Sequence, residues 1–164
     1  MGNKMTKDIP RKNINRGYQK LRVWDMAIEY YKETCLVFKN FPFEMRKVCS
    51  QQISAVDSIH RNIAEGYSRR SIREYINFLY IGMASLAESV SSLHAYKRSN
   101  QITQENFEKL DSISYCLENS LLRLVQELEK KRETNEWTDS LLHEPNENTI
   151  TPPLHHSNTP VLQE

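Results

Sequence analysis

The chain has 164 residues, 38% hydrophobic and 26% charged, with a formal net charge of +1. This length suits one domain with tails, and four glycines exclude collagen and disfavour a Gly-rich nucleotide fold. No uncharged apolar run approaches the 18 residues of a spanning helix, and the basic N-terminus lacks the apolar block of a signal peptide, so a cytoplasmic protein without a membrane segment is expected.

Residues 1–19 are polar and read as a flexible basic arm. The first helical periodicity is Trp24, Ile28, Tyr31, Cys35 and Phe38, spaced by fours and threes along one face. Asn40-Phe41-Pro42 ends this helix, because the residue before proline disfavours helical geometry. Phe41 and Phe43 are expected to close that end of the core.

A second helix is predicted from about Phe43 to Glu65, with Met45, Cys49, Ile53, Val56, Ile59 and Ile63 as its stripe. Gly66 is placed as the left-handed residue after its end. The third helix starts near Ser71, which pairs with Glu74 as a capping box. Its stripe is Ile72, Ile76, Leu79, Met83, Leu86, Val90 and Leu93. A flank of Tyr75, Gly82, Ser85 and Ser89 allows a neighbouring helix to approach closely.

The fourth helix begins after Thr103, with Ile102 and Phe107 as a hydrophobic staple. Phe107, Leu110, Ser114, Leu117, Leu121, Leu124 and Leu128 follow at heptad spacing. Beyond Arg132 the periodicity fades, and prolines 145, 152, 153 and 160 mark an acidic, disordered tail over 133–164. Trp137, Leu141 and Leu142 could dock locally from it. The fold expected for 20–132 is all-α, an antiparallel up-and-down four-helix bundle.

The near-zero net charge hides a polarity. Residues 1–22 carry a net +6 and residues 133–164 a net −6, with +1 between them. The arm reads either as a solvated tail or as an attractor of nucleic acid or an acidic partner. Cys35, Cys49 and Cys116 are odd in number and widely spaced, which points to reduced core cysteines and away from zinc or disulfides. Tyr18, Tyr30, Tyr67, Tyr75, Tyr80, Tyr96 and Tyr115 lie along or beside the apolar faces and suggest a homo-oligomer.

The informative polar cluster surrounds the second connection: Arg61, Asn62, Glu65, Arg69, Arg70 and Arg73. Arg61, Arg69, Arg70 and Arg73 are the candidate nucleic-acid-binding residues, with Tyr67 or Tyr75 available for stacking. The competing reading makes Glu65 a local ion-pair partner and the arginines a solvated turn. His60 lacks a matched nucleophile or carboxylate orienter and reads as structural. His155-His156 is a weak metal-binding pair in a tail without other ligands. No Walker, dinucleotide, H-E-x-x-H or G-x-S-x-G motif occurs, so no catalytic residue, metal or cofactor is expected.

Leu21-Arg22-Val23-Trp24 with Ala27, Phe41-Pro42, Gln51-Gln52 with Ala55, and Ile59-His60-Arg61-Asn62-Ile63-Ala64-Glu65-Gly66 form a pattern. It continues through Arg69, Ser71, Glu74, Phe78-Leu79, Gly82, Ala84, Ser85, Glu88 and Leu93. Over about residues 20–132 it resembles the bacterial four-helix family associated with intervening sequences in 23S ribosomal RNA genes, the S23 family. The resemblance implies a ring-like homopentamer. It extends to the accessory variability proteins of diversity-generating retroelements, which implies RNA or DNA contact and a reverse transcriptase partner. His60 stands where the family commonly has proline, which implies a more regular second helix here. The implied function is a noncatalytic oligomeric nucleic-acid or ribonucleoprotein adaptor, and its alternative a purely structural protein-interaction module.

Overall fold

The computed structural model describes residues 14–69 and 71–134. Four helices dominate: α1 (Arg22–Phe38), α2 (Arg46–Tyr67), α3 (Ile72–Arg98) and α4 (Gln104–Glu133). Two 3-10 segments, Ile14–Lys20 and Phe43–Met45, precede α1 and α2. The helices touch in a closed ring, α1 to α2 to α3 to α4 and back to α1, most extensively between α2 and α3. Short connections make each neighbour antiparallel, so the chain is an up-and-down four-helix bundle without strands among the described residues.

Local chemistry explains the helix boundaries. Ser71 caps α3 by accepting the Glu74 backbone N–H at 3.3 Å, and Thr103 caps α4 by accepting that of Asn106 at 3.2 Å. Helix α3 ends in a Schellman turn. Asn100 adopts φ 57°, Gln101 N–H donates to Tyr96 O at 2.8 Å, and Asn100 N–H donates to Lys97 O at 3.1 Å. Helix α2 runs without interruption through His60.

Ala27, Tyr30, Val56, Ile59, Ile63, Leu79, Leu93, Leu110, Leu117 and Leu121 are fully enclosed in the core. The stripe of α1 is rotated one residue from the expected one. Val23, Ala27, Tyr30, Thr34 and Phe38 face inward, while Trp24, Ile28, Tyr31 and Cys35 are half-buried on the flank, Tyr31 against His60 of α2. Small Ala27 and polar Thr34 lower the apolar signal of the true face, and the bulky flank raises its own.

Three further expectations change. Gly66 lies inside α2, and none of the described glycines has positive φ. A Cβ there would stand 2.7 Å from Phe78 Cβ and 2.9 Å from Tyr75 Cδ2, so close approach of α3 explains this glycine. Phe41 stacks on Phe38 at 4.4 Å and fills the core end, which leaves Phe43 73% exposed. Cys116 is exposed, whereas Cys35 and Cys49 are half-buried. At the opposite end Tyr18 packs edge-on to Trp24 and Tyr67, at 5.3 and 6.4 Å. Trp137, Leu141, Leu142 and His155-His156 lie outside the described residues.

Candidate nucleic-acid interface at the second connection

The segment from Asp57 through Arg73 mixes packing and surface chemistry residue by residue. Ile59 and Ile63 are wholly buried, and Gly66 admits α3. Asn62 donates its amide to Ser58 O at 2.8 Å and Ser58 Oγ at 3.0 Å. Ser85 of α3 completes this polar seam, donating to Ser58 Oγ at 3.0 Å. Gly82 lies opposite, where an added Cβ would reach only ordinary contact with Ile59 O at 3.5 Å and Asn62 Cβ at 3.6 Å.

Asp57 organises the outer face of α2. Its Oδ1 lies 3.1 Å from His60 Nε2, and its Oδ2 accepts from Arg61 Nη1 at 3.3 Å. The His60 ring also meets Tyr31 of α1 edge-on at 5.6 Å. A cleft of about 430 Å³ runs beside this face, between α2 and α3, lined by Ser54, Ser58, Arg61, Ser85 and Glu88 among others.

The four predicted arginines have different surroundings. Arg61 is exposed but shares Asp57. Arg69 forms an ion pair with Glu65 and lays its guanidinium over the Phe78 ring, 4.5 Å from the centroid. Arg73 is exposed in the first turn of α3, with no ion pair among the described residues. Arg70 lies outside the described residues. Thus Asp57 and Glu65 hold Arg61 and Arg69 by i,i+4 pairing, and Arg73 is the unengaged cation of the described three. Exposed pairs of this kind contribute roughly 0.2–1 kcal/mol, so a phosphate can compete for them.

Of the tyrosines that suggested a surface, Tyr30, Tyr67 and Tyr75 are core residues. Burial pushes the Tyr30 and Tyr67 phenols up to about 12 and raises Tyr75 further. Tyr80 and Tyr115 are exposed, at 47% and 64%, as are Ile81 and Leu122. Tyr80 donates its hydroxyl to Glu129 Oε1 at 2.8 Å, tying α3 to α4 at this face. That hydrogen bond to the carboxylate raises the Tyr80 phenol above its ordinary value.

Three polar residues, Glu33, Thr34 and Gln52, are buried at positions that helical periodicity does not mark as core. Gln52 is 1% exposed, and neither amide atom has a protein partner among the described residues. Glu33 is 7% exposed and paired across the helix boundary with Lys109 of α4, whose hydrogen bond holds the carboxyl below its usual value. Gln51-Gln52 belongs to the family pattern, but nothing in the sequence marks Gln52 as buried, and Glu33 sits between Lys32 and Thr34 as an ordinary surface carboxylate would. No group of three or more His, Cys, Asp or Glu residues could hold a metal ion among the described residues.

The family model for the 23S rRNA-intervening sequence protein matches residues 19–123. The chain belongs to that family. A crystal structure from Bacteroides thetaiotaomicron, described as a protein with unknown function from the S23 ribosomal protein family, has a similar fold. It aligns with a TM-score of 0.60 and 22% identity over 67% of this chain and 98% of that one. No curated protein matches the sequence. Among the described residues, no helix is long and apolar enough to cross a membrane.

Proposed function

We propose that this S23-family chain is a noncatalytic, self-associating helical adaptor that binds nucleic acid through the second connection. The observation that carries this reading is a convergence of cations from three elements. The ring of antiparallel helices brings the start of α1, the α2–α3 connection and the end of α4 to one end of the bundle. Arg22, Arg69, Arg73, Lys131 and Arg132 therefore share that end, interspersed with Asp25, Glu65, Glu74 and Glu133. Such a grouping releases counterions when it meets phosphates. Arg70 joins the set by sequence position, and Arg61 extends it along α2.

Self-association is supported by Tyr80 and Ile81 on α3 and Tyr115 and Leu122 on α4, large apolar side chains left in water. A homopentamer and a reverse transcriptase partner belong to this reading through the family resemblance, and a cytoplasmic location through the basic, non-apolar N-terminal segment.

The purely structural reading has its own support, because Asp57 and Glu65 already engage two of the four arginines. Light scattering on the full chain, followed by titration with structured and single-stranded RNA at several salt concentrations, separates the two. The adaptor reading requires salt-dependent binding by an oligomer. An oligomer that binds no RNA at low salt leaves the structural module.

A further inference from the structure

The opposite end of the bundle carries the α1–α2 and α3–α4 connections. Its centre is Phe38, 2% exposed. Phe41 stacks on it, Tyr96 of α3 meets it edge-on at 5.8 Å, and Cys49 Sγ of α2 donates to its carbonyl at 3.7 Å. These contacts bring the ends of α1 and α3 together with the start of α2. Lys39, Arg46, Lys47, Lys97 and Arg98 consequently lie exposed or half-buried at the same end of the bundle as this small apolar plug. None of the five forms an ion pair among the described residues, in contrast to Arg61 and Arg69. Glu44, Glu105 and Glu108 are the carboxylates of the same segments. Glu105 and Glu108 lie near the start of α4, where the helix dipole favours acids, and Glu108 accepts from Gln104 Nε2 at 2.6 Å.

Helix stability does not account for this charge. Lys97 and Arg98 suit the carboxyl end of α3. Arg46 and Lys47 do not suit their place, because they begin α2, where cations oppose the dipole and no acid occupies the first turn. Nor does packing account for Phe43. Phe41 fills the core end, and the Phe43 ring is left 73% exposed. Arg46 lies over that ring, 4.4 Å from its centroid. An exposed aromatic ring covered on one face by arginine, at a bundle end that carries four further cations without ion pairs among the described residues, is the chemistry that holds a nucleic-acid strand: phosphates to the cations, a base on the ring.

We propose that this end is a separate binding surface for single-stranded RNA, with a base stacked on Phe43 and the phosphates on Lys39, Lys47, Lys97 and Arg98. The proposal rests on the nucleic-acid reading above but not on the same residues. A duplex keeps its bases stacked internally and offers the ring nothing, so a preference for single strands follows.

The test is fluorescence anisotropy of a labelled 20-nucleotide unstructured RNA with the full chain, at several salt concentrations. Phe43→Ala should weaken binding about tenfold, and Phe43→Trp should retain it. Lys39→Gln with Lys47→Gln should reduce the log–log salt slope by about 1.4, two phosphate contacts on a single strand. A hairpin duplex should bind more weakly and be indifferent to Phe43→Ala. Circular dichroism should be unchanged in all variants, since each altered side chain is exposed. Wild-type affinity in Phe43→Ala and in the lysine pair, with loss in Arg73→Gln, overturns this surface and keeps the earlier reading. Absence of RNA binding by the unaltered chain overturns both.

Discussion

The phenol of Tyr30 and the hydroxyl of Ser89 meet at 3.1 Å across the bundle diagonal, joining α1 to α3, which are not ring neighbours. Ser89 donates its one hydrogen to Leu86 O at 2.8 Å, so Tyr30 is the donor between the two hydroxyls. Both residues are enclosed, and the chain Tyr30–Ser89–Leu86 satisfies each hydroxyl. Tyr30→Phe should therefore cost about 1 kcal/mol, and Ser89→Ala more, about 1–3 kcal/mol, because it leaves a buried phenol donor unpaired. The double variant should cost less than the sum, which a urea-unfolding double-mutant cycle reads directly.

The same burial predicts alkaline sensitivity. Tyr30 and Tyr67 titrate near 12 in the folded chain, against about 10 when unfolded. Between these values the folded state holds protons that the unfolded state has lost, so stability is intact below pH 10 and declines as pH rises toward 12. Denaturant midpoints measured from pH 8 to pH 12 should fall over that window. Tyr30→Phe should make the fall shallower.

Gly66 and Gly82 separate two reasons for glycine in a helix. An alanine at 66 would press on the Phe78 and Tyr75 side chains and on Tyr75 O at 3.2 Å. An alanine at 82 meets its neighbours at normal separation. Gly66→Ala should destabilise by about 1–3 kcal/mol through overpacking, whereas Gly82→Ala should gain up to about 1 kcal/mol of helix propensity. Thermal melts of the two variants should move in opposite directions.

These contrasts show what could be read from residue order. Helices α2, α3 and α4 were legible because Ile, Leu and Val recur at helical spacing, although Cys49, Ile53, Met83, Val90 and Leu124 of the expected stripes are half-buried and Gln52, Gly82, Ser89 and Val125 lie deeper. The Ser71 and Thr103 caps follow from side-chain type. The rotation of α1 was not legible, since Ala27 and Thr34 owe their burial to the helices around them. Gly66 looked like a terminus because a close approach by Tyr75 and Phe78 leaves no mark on the local sequence. The basic cluster was visible as composition, and the i,i+4 spacing of Glu65 and Arg69 made their pairing legible too; Asp57, which engages both His60 and Arg61, lay outside the cluster as read. Phe41 and Phe43 look alike in sequence as plugs for the core end, yet only Phe41 stacks there on Phe38, and Phe43 is left in water.

Asn100 offers a test of the α3 terminus. Its φ of 57° is costly for side chains with a Cβ, less so for asparagine, and free for glycine. Asn100→Ala should lose about 1 kcal/mol, and Asn100→Gly should match or exceed the parent in stability. Differential scanning calorimetry of the pair checks the turn without touching the core.

The engaged and unengaged arginines give opposite expectations for RNA. If phosphates contact this face, Arg73→Gln removes an available cation, lowering affinity at low salt and reducing the salt slope by about 0.7 on a single strand. Arg61 must first leave Asp57, so Asp57→Asn should raise affinity by releasing it and by removing a negative charge. Glu65→Gln should do the same for Arg69, although the guanidinium retains its seat over Phe78. Salt-resolved anisotropy on the three variants decides the matter. Affinity unchanged in all three would mean that the second connection only joins two helices and that its arginines serve solubility.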